Sequence, residues 1–513
     1  MELPNDIASC HRIILELVAV IEGFKPQLEG YVQQIEAQRN HIEAQRNHIE
    51  AQRNHIEAQR NHIEAQRHQI DNLEFRVKEL ELQLHQNSRN SNYPSSMDKF
   101  KPKPAFPRLK GGKIGGKPGH DGGTLKMVPA PDVVKTHTPE VCARCGQIHD
   151  SEPLVIRARR QVFDIPPPRI EVTEHQVLDW VCSGCQALNQ GQFPQDVCSN
   201  TQYGLRLVTM SALFNNGYNI PRKKVQSIFS DLYGVTLNEQ TLQAQNELAY
   251  GCLAEDEAHI KAKLLQSEVV HYDETGFYVG KDRFWEHVAS NEFYTALFIH
   301  PQRGAGAHQT DISILPSFQN WAVHDCWSTY FNFTGCQHAV CGAHLLREFT
   351  ALIESGSKWA QNFHAFLLDL YERSDKGKAA IPTKERSRVL RKYQDLLQQA
   401  DQEEPPPTQK PRGKPKKTKG RNLFDRLAKH QDAVLAFAFH EEVPFSNNQA
   451  ERDIRPTKTK MKVSGCFRTQ YGAEIYARIQ SFISTVRKLQ FNPFNELYTV
   501  LSGGIPEYRG PAG

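Results

Sequence analysis

The sequence predicts a multidomain α+β protein, with an N-terminal coiled coil, a zinc-ribbon-like β unit and a mixed strand-and-helix region behind them. Three observations predict it. An Ile-Glu-Ala-Gln-Arg-Asn-His unit recurs with a period of seven residues. Two Cys-x2-Cys pairs stand 36 residues apart. Runs of β-branched and aromatic residues after Val269 then give way to helical periodicity. A length of 513 residues corresponds to about three to four units.

The repeat sets Ile35, Ile42, Ile49, Ile56, Ile63 and Ile70 at one heptad position, a register that continues in Val77 and Leu84. It runs backwards through Leu28, Ile21 and Ile14, with Leu17, Phe24, Tyr31, Leu73 and Leu80 at the d positions. Sustained heptads imply a left-handed coiled coil over residues 1–86. Its middle carries Gln38, Gln45, Gln52, Gln59 and Gln66 at d, so the apolar ends are expected to hold the coil. Pro26 and Gly30 are expected to break the first helix. The competing reading is a long solvated helix expanded in tandem.

Residues 87–131 form a basic linker. Lys99, Lys101, Lys103, Arg108, Lys110, Lys113 and Lys117 follow one another with no acid between. Such a run suits salt-sensitive phosphate contacts, or simply solubilises. Gly111 to Lys117 fits G-x4-G-K, but Pro118 occupies the Ser/Thr position and no strand precedes it, so a nucleotide loop is rejected.

Residues 132–200 carry Cys142, Cys145, Cys182 and Cys185. Two knuckles can close a tetrahedral four-thiolate site for a structural Zn²⁺; the alternative is four reduced thiols in a small β unit. Arg160–Ile165 and Ile170–Val177 read as strands between them. Residues 201–262 read as helix (Arg222–Tyr233), Gly234 turn, helix (Thr236–Ala249), either a helix-turn-helix facing DNA or an ordinary helical pair.

Residues 263–345 and 430–490 form the region richest in chemistry. Val269–Gly276, Phe284–Ser290 and Tyr294–His300 make an antiparallel meander carrying Asp273, and Trp321–Asp325 adds a strand ending in an acid. Asn447–Arg452 opens a helical region with Glu451. Two Asp on neighbouring strands and a Glu on a helix can converge into an oxygen-rich site for Mg²⁺ or Mn²⁺. Two ions about 4 Å apart would serve phosphoryl transfer. Among 58 acids, however, spacing alone singles out no triplet. Cys336, His338, Cys341 and His344 read as a packed core set rather than a metal site. Residues 346–429 form a helical insertion with a Pro/Lys-rich loop, Lys410 to Arg421, read as solvated surface or DNA contact, and 491–513 a tail.

Composition excludes other classes. Hydrophobic residues make up 39% and mean hydropathy is −0.58. No run reaches the roughly 18 apolar residues of a membrane span. Ile13–Ile21 is short and carries Glu16, a poor signal peptide. Eleven Cys, an odd number, argue for reduced thiols and a cytoplasmic location rather than a disulfide framework.

The ordered series of motifs resembles the transposases of the Insertion Sequence 66 family. The matching pieces are Asn87-Ser-Arg-Asn-Ser91 with Pro94-Ser-Ser96, Gly115-Gly-Lys-Pro-Gly-His120, and both Cys pairs. They continue in His271-Tyr-Asp-Glu-Thr275, His287-Val-Ala-Ser290, His300-Pro-Gln-Arg-Gly304 and Val323-His-Asp325. Cys341-Gly-Ala-His-Leu-Leu-Arg-Glu348, Asn447-Asn-Gln-Ala-Glu-Arg-Asp-Ile-Arg-Pro456 and Asn492-Pro493 complete the series. The resemblance implies a ribonuclease-H-like α/β catalytic domain with a helical insertion and a DDE triad of Asp273, Asp325 and Glu451, with two metal ions per site. It implies DNA as partner, both element ends and target, with the protein nucleoid-associated and assembled as a homo-oligomer through the coil. Helper proteins of the same element would be further partners. Lys458, seven residues after Glu451, and Arg452 and Arg455 are candidate phosphate contacts, with Lys113 and Lys117 in the linker; Pro456 is expected to end the first helix. Arg452 to Lys488 holds nine Lys/Arg against two acids, suiting a DNA-facing surface. The alternatives are a non-catalytic DNA-binding coiled-coil protein, and a metal-dependent nuclease that cuts without joining.

Overall fold

The structure, a computed structural model, describes residues 6–84, 86, 90, 125–148, 155–407 and 416–510. It divides into two units, Met1–Gln86 and Asn87–Gly513. The expected contacts of Lys113 and Lys117, and most of the basic linker, lie outside the described residues, as do Lys410, Arg412 and Lys414.

The first unit is one helix, α1 (Ile7–Leu84). It runs unbroken through Pro26 and Gly30, against expectation. A proline removes one backbone hydrogen bond at about 3 kcal/mol, and the helix formers on both sides of Pro26 carry the helix past it. The seam isoleucines Ile35 to Ile70 are half exposed along it.

The second unit opens with extended chain and two knuckles, the second holding β1 (Trp180–Val181) and β2 (Leu188–Asn189). Arg160–Ile165 and Ile170–Val177 form no strands. Pro166, Pro167 and Pro168 separate them, and proline withholds the N–H donors that a ladder needs.

Four helices follow: α2 (Leu205–Ala212), α3 (Arg222–Tyr233), α4 (Glu239–Cys252) and α5 (Ala254–Leu265). Gly234 ends α3 in the left-handed region at φ 66°. Asn238 starts α4 by accepting from Thr241 N at 2.7 Å, three residues later than the expected start.

The sheet then forms from β3 (Val269–Val279), β4 (Asp282–Ser290) and β5 (Thr295–His300), a meander as expected. Asn291 closes its second turn by accepting from Phe293 N and Tyr294 N. After a single turn, α6 (Ala305–His308), come β6 (Trp321–His324) and β7 (Gln337–Val340). The order is β5-β4-β3-β6-β7, the first three strands antiparallel and the β3-β6-β7 pairs parallel.

Helices α7 (Gly342–Glu354), α8 (Lys358–Arg373), α9 (Thr383–Glu403), α10 (Lys419–Lys429) and α11 (Gln431–Phe439) share one apolar cluster with Val323, Ala339 and Val340 of β6 and β7. The inserted helices are thus built onto the sheet's own core. Lys417 pairs with Asp425 at 2.6 Å and Arg421 with Asp401 at 2.6 Å, so two cations at the described end of the basic run are matched by acids.

The chain ends in α12 (Asn448–Ser464), α13 (Gln470–Lys488) and α14 (Pro493–Leu501). Pro456 lies inside α12 rather than ending it; Ala450 and Ile454, packed on the sheet, hold the helix in place across it. The expected tail is a packed element, with Leu497, Val500, Leu501 and Tyr508 in a core cluster with α2 and α13. Helix α13 covers the edge strand β5. Ser481 Oγ accepts from Leu297 N at 2.9 Å and Thr485 Oγ1 from Thr295 N at 3.0 Å. Four helical residues rise about 6 Å and two strand residues about 6.6 Å, so the spacings match and two outward donors of the edge are satisfied. No helix among the described residues is long and apolar enough to cross a membrane.

Candidate active site

Asp273 lies midway along β3, on the face shared with Phe277. Phe277 packs in one cluster with Val288 of β4 and with Ala450 and Ile454 of α12, so this face looks toward α12. Strands β3 and β6 pair in parallel with His271 opposite Val323. The same register carried two residues on sets Asp325 beside Asp273, just past the C-terminal end of β6. Open α/β sheets bind ligands outside this end of their parallel strands. Glu274 N donates to Asp273 Oδ1 at 2.9 Å, and Trp327 N to Asp325 Oδ1 at 3.1 Å. Burial pushes the Asp273 carboxyl up to about 6; the Asp325 charge adds to the rise, while Lys458 and His344 oppose it.

Glu451 stands in the first turn of α12, next to Ala450. Its Oε1 is 3.5 Å from Arg347 Nη2 and 3.7 Å from His344 Nε2, both on α7, and has no hydrogen bond. Asn447 anchors the helix start. Its Nδ2 donates to Tyr272 O at 2.7 Å, its Oδ1 meets His271 Nδ1 at 2.9 Å, and its backbone N–H donates to Cys341 Sγ at 3.1 Å. Burial works against the imidazolium of His344, but the neighbouring Cys341 sulfur and the Glu451 carboxylate outweigh it, raising His344 to about 9. Burial drives His271 the other way, down to about 4. Lys458 lies two turns beyond Glu451 on the same flank of α12, and the helix passes unbroken through Pro456 to bring its charge to Asp273.

Among the described residues, no three His, Cys, Asp or Glu side chains converge closely enough to hold one metal ion. Asp273 and Asp325 come together on β3 and β6, while Glu451 turns to α7. The donors nonetheless fit hard divalent cations. All three are carboxylates, two share a face with their charges opposed, and a buried oxygen of the third has no hydrogen bond.

At the start of α12, a cleft of ≈ 460 Å³ is lined by His271, Pro444, Ser446, Asn448, Gln449, Arg452 and Arg455. Arg452, Arg455 and Lys458 are exposed on α12. The rest of the basic segment divides. Lys488 is bound to Asp453 at 2.7 Å, Lys460 is buried with its Nζ 3.2 Å from Asn215 O, and Arg478 lies over the Tyr250 ring. Those three cations belong to the core and not to a DNA-facing surface.

A family profile described as the transposase IS66 family matches residues 200–475, more than half the chain. The chain belongs to the IS66 transposase family. A second profile, the zinc-finger binding domain of transposase IS66, matches residues 139–186. Residues 14–126 match a family of unknown function. No curated protein matches the chain.

The transposase's zinc-finger region holds two knuckles of one design. Gly146 N donates to Cys142 O at 2.9 Å and Gln186 N to Cys182 O at 2.8 Å. Val141 bridges Ile148 in the first, as Val181 pairs with Leu188 in the second. The residue after the second Cys is left-handed in each, Gly146 at φ 74° and Gln186 at φ 59°. Backbone N–H groups of Arg144 and Cys145 lower the Cys142 thiol, and those of Cys185 and Gly184 lower Cys182. Each knuckle pairs its own two sulfurs. The four do not come together in this structure, although thiolate-favouring pairs are the donors that zinc takes.

Sequence reading names the three acids but not the two residues that face Glu451. His344 and Arg347 belong to a motif read as packed core, yet both reach Glu451. Their i, i+3 spacing, which puts them on one side of α7, is the signal that could have found them.

Proposed function

We propose that this transposase cuts and joins DNA with Asp273, Asp325 and Glu451 as the carboxylates of a ribonuclease-H-like domain, acting on the terminal inverted repeats of its element. The observation that carries the reading is the place of Asp325 beside Asp273, two residues past the last β3–β6 pair, under the helix whose first turn carries Glu451. The three carboxylates would hold two Mg²⁺ or Mn²⁺ ions. When bound, these would make the attacking oxygen nucleophilic and offset charge on the leaving oxygen.

The chain's own residues do the rest. Arg452, Arg455 and Lys458 present positive charge along the flank of α12 where DNA phosphates would lie, with Lys113 and Lys117 contributing from the linker. The cleft at the start of α12 seats the strand beside the acids. In cleavage, water forms the new bond to phosphorus and the 3′ oxygen leaves as a hydroxyl; in joining, that 3′-hydroxyl attacks a target phosphodiester in the same in-line geometry, its proton is lost, and the target strand's own 3′ oxygen takes up a proton as it leaves. Cys142, Cys145, Cys182 and Cys185 would hold a structural Zn²⁺ and help dock the ends. The exposed isoleucine seam of α1 supports self-association into a coiled coil, which would bring two element ends together. Helper proteins of the element would join that assembly.

Asp273→Asn and Glu451→Gln test the reading on DNA with intact and precleaved ends. Each is expected to lower cleavage and joining on the order of 10⁴-fold or more, the scale of losing one essential catalytic group. Joining that survives either change sinks the assignment. Cleavage without joining by the unsubstituted chain would make it a nuclease.

A further inference from the structure

The sheet face opposite the acids carries a second polar cluster, centred on Glu274. Its side chain is 1% exposed. Arg303 Nε donates to Glu274 Oε1 at 2.7 Å, and Tyr330 OH donates to Oε2. The Arg303 guanidinium lies over two indoles, 4.4 Å from the Trp327 ring centroid and 5.0 Å from that of Trp285. Tyr330 is fully buried and stacks on His324 at 4.5 Å.

The chain positions give the cluster its meaning. Glu274 is the residue after Asp273. Trp327 and Tyr330 are two and five residues after Asp325, and Trp327 N is the donor to Asp325 Oδ1. The cluster therefore joins the strand bearing the first acid to the loop that follows the second. Beyond Val323 the strand pairing of β3 with β6 has ended, so no ladder hydrogen bond fixes Asp325 against Asp273. The Glu274 bonds cross that gap. Groups behind a metal ligand that fix its orientation typically change metal affinity or activity by about 10–100-fold when removed.

We propose that Glu274, Arg303 and Tyr330 are positioning residues that set the spacing of Asp273 and Asp325 for divalent cation binding. The inference rests on the catalytic reading of those two acids. Arg303 is on the outer side of the clamp, 42% exposed at its side chain, and its stack on Trp327 steers the loop. Tyr330 is on the inner side and ties the same loop to the strand.

The test measures Mn²⁺ binding to the full chain by titration, together with strand transfer on a precleaved end and thermal unfolding. Tyr330→Phe removes one oxygen and keeps the stack on His324. Arg303→Gln changes a partly exposed group, so at least one variant retains the fold. Each is expected to weaken Mn²⁺ binding at least tenfold with unfolding temperature near that of the parent. Combining either with Glu274→Gln is expected to add little, because all three act through one set of bonds.

Two outcomes overturn the proposal. In one, folded Tyr330→Phe and Arg303→Gln bind Mn²⁺ as the parent does. In the other, only Glu274→Gln loses binding, which would make Glu274 a ligand itself. Asp273→Asn separates this failure from that of the parent reading. If it leaves Mn²⁺ binding and joining intact, the acids are not the site. If it abolishes both while the clamp variants behave as the parent, the clamp alone is wrong.

Discussion

Arg347 on α7 holds Glu451 on α12 across 3.5 Å, with both side chains partly exposed. The pair keeps the third acid turned away from Asp273 and Asp325. An ion pair at that exposure contributes about 1 kcal/mol or less, and a divalent cation that draws in Glu451 must break it. Arg347→Ala is therefore expected to tighten Mn²⁺ binding several-fold, and Arg347→Lys to leave it near the parent value. Mn²⁺ titration of the three proteins checks this; weaker binding in Arg347→Ala would show that Arg347 presents Glu451 to the ion rather than withholding it.

Gly342 opens α7 and lies so close to the Phe445 ring that a Cβ would overlap it. Gly342 N also donates to Phe445 O at 2.8 Å. Phe445 is fixed behind by Tyr371 and Phe437, at ring distances of 4.5 and 4.7 Å, so it has little room to retreat. Gly342→Ala is expected to cost about 1–3 kcal/mol of stability by overpacking. It should also push α7 from the start of α12, separating His344 and Arg347 from Glu451. Denaturant unfolding measures the first effect and strand transfer the second; an Ala variant as stable as the parent would show that the ring does move.

What the sequence made legible follows from how local its signals are. The meander around Asp273 was readable because alternation and the Asn291 turn are properties of adjacent residues. Asp325 was readable as the acid ending a short strand, but its place beside Asp273 depends on a parallel crossover that no local pattern encodes. Glu451 could be named as an acid opening a helix, but only the family resemblance singled it out with Asp273 and Asp325, since one Glu in a helix start is an ordinary feature. The basic stretch from Arg452 to Lys488 overstated its surface, because a charge count does not show that Lys460 finds a partner in the turn after α2, Arg478 on α4 and α5, and Lys488 on α12 and the β4–β5 turn. Pro26 and Pro456 misled in the same way. Proline disfavours a helix locally, while flanking helix formers at one site and packing of Ala450 and Ile454 at the other decide the outcome.

Gln186 occupies, at φ 59°, the position that Gly146 fills in the matching knuckle. The left-handed region costs a residue with a Cβ about 1 kcal/mol or more. Gln186→Gly is expected to relieve that strain and tighten Zn²⁺ binding about fivefold, the equivalent of about 1 kcal/mol. Competition with a chromogenic chelator reads the affinity. Gly146→Gln should weaken it by a similar factor, and a pair of variants with no effect would mean that the knuckle turn is not what limits metal binding.

Glu286 on β4 is fully buried on the α12 face. Burial raises its carboxyl from 4.5 to about 8; Thr457 and Lys458 offset only part of the rise. The folded state thus holds this proton more tightly than the unfolded state does. Below pH 4.5 both states are protonated and Glu286 costs nothing as an acid. As pH rises from 4.5 toward 8, the unfolded chain releases its proton while the folded chain keeps it, so stability falls by at most about 1.4 kcal/mol per pH unit. Glu286→Gln removes that cost. The unfolding free energy of Glu286→Gln minus that of the parent is expected to be near zero at pH 4 and to grow to a plateau above pH 8, as read from denaturant unfolding of both proteins at each pH. A difference that does not change with pH would place a charge-balancing partner next to Glu286.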